Sequence, residues 1–334
     1  MSEPLRVGVI GLGRAGEKHA RAFSRVPGVT VSALCDANRE RLGALTASLG
    51  ARGYADYREL LADPSVDAVS IVLPDDRHRD VTLAAIRASK HVLLEKPIAS
   101  RLDEGREIAE AARGYPKTFM VGHLLRFDAR HTLARDAVAA GEIGRIIHVA
   151  CRRNSTITGA AMYRSHNTDT PIHLMVHDVD YINWIVGAPA SRVFAKGRQL
   201  LLKEWGMQDT ILATVEYQDG TLAALEACWV LPAGSPTGLD DRMEIVGEKG
   251  AIYLSSSDEG VHVVTPSGTS YPDSVHWPDV NGQVSGALLD EVMSFVRCVT
   301  RGERPMVGAE DALKALQVVD AIQRSLAEGR EVSV

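Results

Sequence analysis

Apolar positions in the first third of the chain come in short runs separated by stretches of helical period. The runs at 6–10, 29–34, 68–73, 91–94 and 118–121 are nearly continuous, as strands buried on both faces are. Between them, 14–25, 38–49, 76–88 and 101–113 carry apolar residues at helical spacing. Such alternation predicts a parallel sheet with helices on both faces. The pattern changes after Gly122. A helix over 128–140 stops at Gly141 and Gly144, and a strand follows at 146–152. A further helix over about 172–186 ends at Gly187, with the breaker Pro189 beyond it. Strands then succeed one another without helices, at 192–198, 209–217, 221–230, 242–247, 250–254 and 260–264. Asp219-Gly220 and Lys249-Gly250 sit between apolar runs as hairpin turns, so a sheet of mostly antiparallel character is expected. The segments 232–238 and 266–282 read as loops near a site or an interface, and helices over 284–300 and 309–327 close the chain.

The first apolar run feeds into Gly11-Leu12-Gly13-Arg14-Ala15-Gly16, a Gly-x-Gly-x-x-Gly turn between a strand and a helix. In a dinucleotide-binding turn the first glycine makes the tight bend and the second lets backbone approach a pyrophosphate. The third lets the helix pack on the strand, and the helix N-terminus faces the phosphates. Asp36 ends the second strand, where a carboxylate accepts hydrogen bonds from the adenosine ribose hydroxyls and repels a 2′-phosphate. NAD is therefore expected over NADP, although Arg39 and Arg41 follow closely enough to soften the repulsion. The competing reading is a glycine-rich turn that binds nothing, with Asp36 capping the next helix. The fold class expected is α/β, with an N-terminal Rossmann doubly wound parallel sheet over 1–122 and a C-terminal α+β domain over 123–334. The second domain carries a large, mostly antiparallel sheet for substrate binding and oligomerisation, and its last helix packs back on the first domain.

Composition narrows the partners more than the chemistry. The 334 residues suit two domains, and 45% hydrophobic with 24% charged is an ordinary globular balance. A net charge of −6, with no basic stripe, argues against nucleic acid. No apolar stretch approaches a membrane span and the N-terminus lacks a basic-then-apolar leader, so a cytoplasmic protein with no membrane partner is expected. The four cysteines are far apart and read as reduced thiols.

Further motifs follow the turn in order: Leu73-Pro74-Asp75-Asp76-Arg77-His78, then Lys90 to Pro97 with Glu95-Lys96-Pro97 at its end, then Gly122-His123-Leu124-Leu125-Arg126-Phe127, then His173-x3-His177-Asp178-x-Asp180. With these in place the whole chain resembles the Gfo/Idh/MocA oxidoreductases, the family of glucose–fructose oxidoreductase and inositol 2-dehydrogenase. The resemblance implies NAD contacts from Leu12, Arg14, Ala15, Pro74, His78, Glu95, Lys96 and Pro97 beside the glycines and Asp36. It implies that Lys96 lies beside the nicotinamide and the substrate hydroxyl, that Pro97 is often cis, and that His177 is the general base. It also implies an inositol-like or pyranose substrate and a homo-oligomer, a dimer or tetramer, formed through the second sheet. Three positions depart from the pattern. His173 stands where an aspartate is usual, Asp75 where asparagine is common, and Ser89 where glycine is usual.

Physical chemistry supports the central roles independently. Moving a hydride off a carbinol carbon requires a base of matched pKa at the hydroxyl, and an ammonium favours the developing alkoxide. Lys96 follows a strand at the carboxyl edge of the sheet, where open α/β folds bind ligands. His173 and His177 are four residues apart on a predicted helix, hence on one face. A neutral His173 can hydrogen-bond a sugar hydroxyl but supplies no negative charge. The pair also reads as a zinc site with Asp169 as third ligand, or as structural histidines; the hydroxyl-handling reading is preferred and no metal is expected. Asp178 reads as a local hydrogen-bonding partner and Asp180 as structural. Candidate substrate contacts are His123, Arg126, Arg153, Asn154, Tyr163, Asn167, His173, His177 and Trp229. The expected function is NAD-dependent oxidation of a secondary hydroxyl of a cyclic polyol or sugar. Its rivals are a glycoside hydrolase that retains NAD and oxidises transiently, and a non-catalytic NAD or sugar sensor.

Overall fold

The computed structural model describes residues 3–164, 170–255, 260–266 and 268–334. The chain forms two compact units, one of residues up to Phe127 together with Val275–Leu313, the other of Asp128–Ser274 with Lys314–Val334. The first begins with β1 (Leu5–Ile10), α1 (Arg14–Phe23), β2 (Val29–Cys35), α2 (Arg39–Leu49), β3 (Arg52–Tyr54) and α3 (Tyr57–Ala62). It continues through β4 (Ala68–Ile71), α4 (His78–Arg87), β5 (His91–Glu95), α5 (Leu102–Ala112) and β6 (Phe119–Gly122). The six strands lie in the order β3-β2-β1-β4-β5-β6 and all pair in parallel. Val7, Val9, Ala68, Val69, Ile71 and Val92 through Leu94 are sealed from solvent, which is why these strands read as unbroken apolar runs. Strand order reverses between β1 and β4, so the ligand crevice of such a sheet opens at the carboxyl ends of these strands.

In the second unit, α6 (Ala129–Ala139), β7 (Ile146–Thr156) and α7 (Ile157–Tyr163) precede a π-helical turn at Pro171–Met175 and α8 (Val176–Val186). Then come β8 (Ala190–Arg198), β9 (Thr210–Tyr217), β10 (Leu222–Leu231), β11 (Leu239–Gly247) and β12 (Ala251–Ser255), followed by the hairpin β13 (Val263–Thr265) and β14 (Gly268–Ser270). The large sheet runs β12-β11-β7-β10-β9-β8-β17, where β17 is Val332–Ser333. Only β7 and β10 pair in parallel, so the sheet is mixed and mostly antiparallel, as expected. Gly220 turns β9 into β10 at φ +89, the positive φ that the Asp-Gly signal promises.

The chain then supplies β15 (Asp279–Val280), β16 (Gln283–Val284) and α9 (Ala287–Arg301) to the first unit, and α10 (Ala309–Glu328) precedes β17. Val284, Leu288, Val292, Phe295 and Val296 join the core built on Val7, Leu12, Phe23 and Leu34. Phe295 meets Phe23 of α1 edge to face, with ring centroids 6.2 Å apart. Each such side chain removed from water stabilises by about 1.5–3 kcal/mol. Where 122 was the expected end of the first domain, the compact unit runs to Phe127 and includes α9. Among the described residues no helix is long and apolar enough to cross a membrane.

Candidate functional site

Each glycine of the first turn has a separate geometric reason. Gly11 has φ +89, and a Cβ there would meet the Val72 carbonyl oxygen at 2.2 Å. A Cβ on Gly16 would lie 1.8 Å from the Gly11 carbonyl oxygen, so α1 crosses the turn too closely for any side chain. Gly13 is different. A Cβ there would find only Arg41 Nη1, at 3.8 Å. The second glycine therefore faces open space, the approach a pyrophosphate needs, and the residues present fit a dinucleotide. Arg14, at the first position of α1, lies 5.7 Å from the centre of the Trp277 ring.

Asp36 is held by backbone donors. Leu12 N–H donates to its Oδ2 at 2.7 Å and Asn38 N–H to its Oδ1 at 2.7 Å, while Arg41 Nη1 lies 3.6 Å away. The carboxylate is thus fixed at the mouth of the glycine turn with a guanidinium beside it. Asp36→Ser removes the charge that opposes a 2′-phosphate and leaves Arg41 to receive one. The kcat/KM ratio of NADP to NAD is expected to rise about 10- to 100-fold, the effect of one or two charged hydrogen bonds. Steady-state kinetics with both cofactors checks this, and an unchanged ratio would remove Asp36 from cofactor selection.

At the carboxyl end of β5, Glu95-Lys96-Pro97 leaves the sheet through a cis Lys96–Pro97 peptide. His78, buried at the start of α4, binds this turn to the one after β4. Its Nδ1 lies 2.7 Å from the Pro97 carbonyl oxygen and its Nε2 lies 2.9 Å from that of Leu73. Carbonyl oxygens only accept, so both contacts are hydrogen bonds when both ring nitrogens carry protons. His78 thus lies between the two loops, with Pro74 just before the short 3₁₀ turn that leads to it. Glu95 accepts from the Lys96 N–H at 3.1 Å and faces His19 Nε2 at 3.2 Å. His123 and Arg126 follow β6 and are both buried, and Arg126 Nη1 donates to the Met306 carbonyl at 3.2 Å.

In the second unit three sequence candidates come together. The rings of Tyr163 and His173 have centroids 3.8 Å apart, and Trp229 lies 5.4 Å from the first and 5.3 Å from the second. His173 stands in the π-helical turn, which runs without a break into α8, where His177 lies in the first turn. A π-turn widens the step to i→i+5 hydrogen bonding, yet residues four apart still lie close to one face of the helix, as the sequence spacing implies. Such turns occur often at functional sites. Among the described residues, the indole N–H of Trp229 is buried with no hydrogen-bond partner.

Arg153 and Asn154 are buried among protein groups. Arg153 makes a two-pronged contact with Asp178, Nε and Nη2 each 2.9 Å from a carboxylate oxygen, and its Nη1 lies 3.3 Å from Asp241. Burial alone would lower its basicity, but the charges of Asp178 and Asp241 outweigh it and hold the guanidinium protonated. Asn154 donates from Nδ2 to Glu226 at 2.6 Å. Asn167 and Asp169 lie outside the described residues. Among the described residues no cluster of histidine and acidic side chains forms around His173 or His177. Sequence reading singled out neither His19 nor Glu291, both fully buried against Glu95. A histidine one turn into α1 and a glutamate inside the apolar face of α9 were the available signals.

Comparison with known proteins agrees with this geometry. The model of the oxidoreductase family, NAD-binding Rossmann fold, matches residues 5–123, and that of the same family's C-terminal alpha/beta domain matches 135–334. The chain is 29% identical to scyllo-inositol 2-dehydrogenase (NAD(+)) of Bacillus subtilis over 100% of this chain and 97% of that one. It is 31% identical to inositol 2-dehydrogenase 2 of Paenarthrobacter aurescens over 97% and 96%. The crystal structure of myo-inositol 2-dehydrogenase from Lactobacillus plantarum superposes with a TM-score of 0.87 at 26% identity, covering 99% of both chains. With a cradle that fits NAD and both halves of the chain matched, the protein belongs to the Gfo/Idh/MocA oxidoreductase family and is an NAD-dependent oxidoreductase.

Proposed function

We propose that this oxidoreductase, which acts on CH–OH groups, oxidises a secondary hydroxyl of an inositol-like cyclic polyol. The observation that carries the reading is the full-length match to inositol 2-dehydrogenases, in a chain that retains Lys96, His177 and the glycine cradle. NAD, when bound, accepts the hydride from the carbinol carbon. The remaining task belongs to this chain, which must take the hydroxyl proton as the carbonyl forms. His177 receives it on a neutral ring nitrogen, and the Lys96 ammonium stabilises the oxygen as it gains negative charge. Tyr163 and His173, half-buried and backed by the buried Trp229, offer an aromatic surface of the kind that stacks on the apolar face of a sugar ring.

The exposed face of the large sheet carries Phe194, Leu212, Leu222 and Tyr253, with Leu212 56% and Tyr253 73% exposed. A second copy of the chain covering this face accounts for such side chains in open positions. Purified protein is expected to form NADH with one or more inositols and to do so less efficiently with aldoses and sugar acids. Absence of NADH from every substrate, together with NAD that stays on the protein through purification, would overturn the dehydrogenase reading in favour of a retained-cofactor hydrolase.

A further inference from the structure

Beneath the Glu95-Lys96-Pro97 turn, three elements of the first unit, α1, β5 and α9, bring titratable groups together, with His19 and Glu291 fully buried and Glu95 17% exposed. His19 of α1 is fixed from both sides, Nδ1 lying 3.0 Å from Ser70 Oγ of β4 and Nε2 lying 3.2 Å from Glu95 Oε1. Glu95 Oε2 accepts from the Lys96 N–H. Glu291 of α9 is 0% exposed, and among the described residues neither of its oxygens has a hydrogen-bond partner. One ligand-type atom from each of His19, Glu95 and Glu291 lies within 4.8 Å of the others. Gly122 at the end of β6 makes the room. A Cβ there would meet Glu291 Oε1 at 3.0 Å and Glu95 Oε1 at 3.3 Å, so both carboxyl groups occupy the space above one glycine.

Two carboxylates this close, one of them fully removed from water, do not both stay ionised without cost. The environment decides which one takes the proton. Glu95 receives hydrogen bonds from His19 and from a backbone N–H, whereas Glu291, near both Glu95 and His19, has no hydrogen-bond partner among the described residues. Burial opposes ionisation of Glu95, but the His19 hydrogen bond and the charges of His19, Lys96 and His78 outweigh it and hold its carboxyl low. For Glu291, burial comes first and the charge of Glu95 adds to it, so its carboxyl is pushed well above the ordinary range.

We propose that Glu291 is a neutral carboxylic acid whose O–H is donated to Glu95, which makes it the positioning residue for the Lys96 turn. Glu95 is then held by three donors, His19, the Lys96 N–H and Glu291, and the peptide that carries Lys96 is anchored to a rigid carboxylate. The positioning role rests on the assignment of Lys96 under Proposed function, while the protonation state of Glu291 does not.

The test is infrared difference spectroscopy between wild type and Glu291→Gln at neutral pH, joined to kinetics and metal analysis. One protonated-carboxyl carbonyl band is expected in wild type and is expected to vanish in Glu291→Gln. Glu291→Ala is expected to lower kcat about tenfold with little change in the KM for NAD, and Glu291→Gln, which also donates, to recover most of the loss. Absence of the acid band overturns the proposal, and so does one equivalent of a divalent metal that wild type holds and Glu291→Gln does not. A folded Glu291→Ala protein with wild-type kcat overturns the positioning role. If Glu291→Ala does not fold, the infrared band still decides. An active Lys96→Ala protein would remove the role of the lysine, and the positioning claim with it, while leaving the band as the measure of Glu291.

Discussion

Replacing Lys96 with alanine is expected to lower kcat about 10³-fold while NAD still binds and the fold is kept. The size follows from the task. An ammonium placed at a developing alkoxide in a water-poor site, like a single donor of an oxyanion hole, is worth roughly 10²–10³ in rate, and help with the proton adds to it. The fold should survive because Lys96 follows the last residue of β5 and does not belong to the apolar core. Lys96→Arg tests the mechanism more finely. It keeps the charge but replaces a compact ammonium with a broad fork, so it is expected to recover little. Steady-state and single-turnover kinetics separate the chemical step from release, and NAD binding measured independently shows whether the cradle is intact. His177→Ala should fall in parallel, since the hydroxyl proton then has no base to receive it. A Lys96→Ala protein with kcat within a few-fold of wild type would refute the assigned roles.

Much of the first unit is legible in the sequence because its signals are local. A near-continuous apolar strand, three glycines at fixed spacing and a carboxylate at the end of the next strand are each set by a few adjacent residues. The structure supplies the reasons, with Gly11 and Gly16 crowded by backbone and Gly13 open. Short elements were not legible. The strand β3 has 3 residues and α3 has 6, too few to show a period. The expected helix through His173 and His177 is present, but Pro171–Met175 of it is π-helical, which helical spacing in sequence does not distinguish from α. Long-range pairing was the least visible. Nothing near Glu291 in sequence announces that Glu95 lies against it, and the joining of α9 to the first unit's core depends on contacts more than 250 residues apart, such as Arg25 with the Val284 carbonyl, where |i−j| is 259. For the same reason Arg153 reads from sequence as a substrate contact, since the carboxylates that occupy it come from α8 and β11.

That occupancy has a measurable consequence. Arg153→Ala is expected to destabilise the second unit by about 3–5 kcal/mol, because it strands Asp178 and Asp241 as buried, unpaired charges. Arg153, Asp178 and Asp241 have side chains only 4%, 5% and 6% exposed, so water cannot replace the lost guanidinium without local opening. At roughly 2–4 °C per kcal/mol for a unit of this size, the melting transition should fall by about 6–20 °C. The penalty belongs to the unmatched charges rather than to the ion pair as such. The triple replacement Arg153→Met, Asp178→Leu, Asp241→Leu should therefore cost much less than the single one, since buried charge sets are often replaceable by apolar groups of similar volume. A substrate-binding Arg153 predicts the reverse, with KM for the polyol raised, melting temperature unchanged and no rescue by the triple replacement. Thermal unfolding followed beside substrate kinetics separates the two readings. The geometry favours the first, because Nε and Nη2 donate to Asp178 and Nη1 lies 3.3 Å from Asp241.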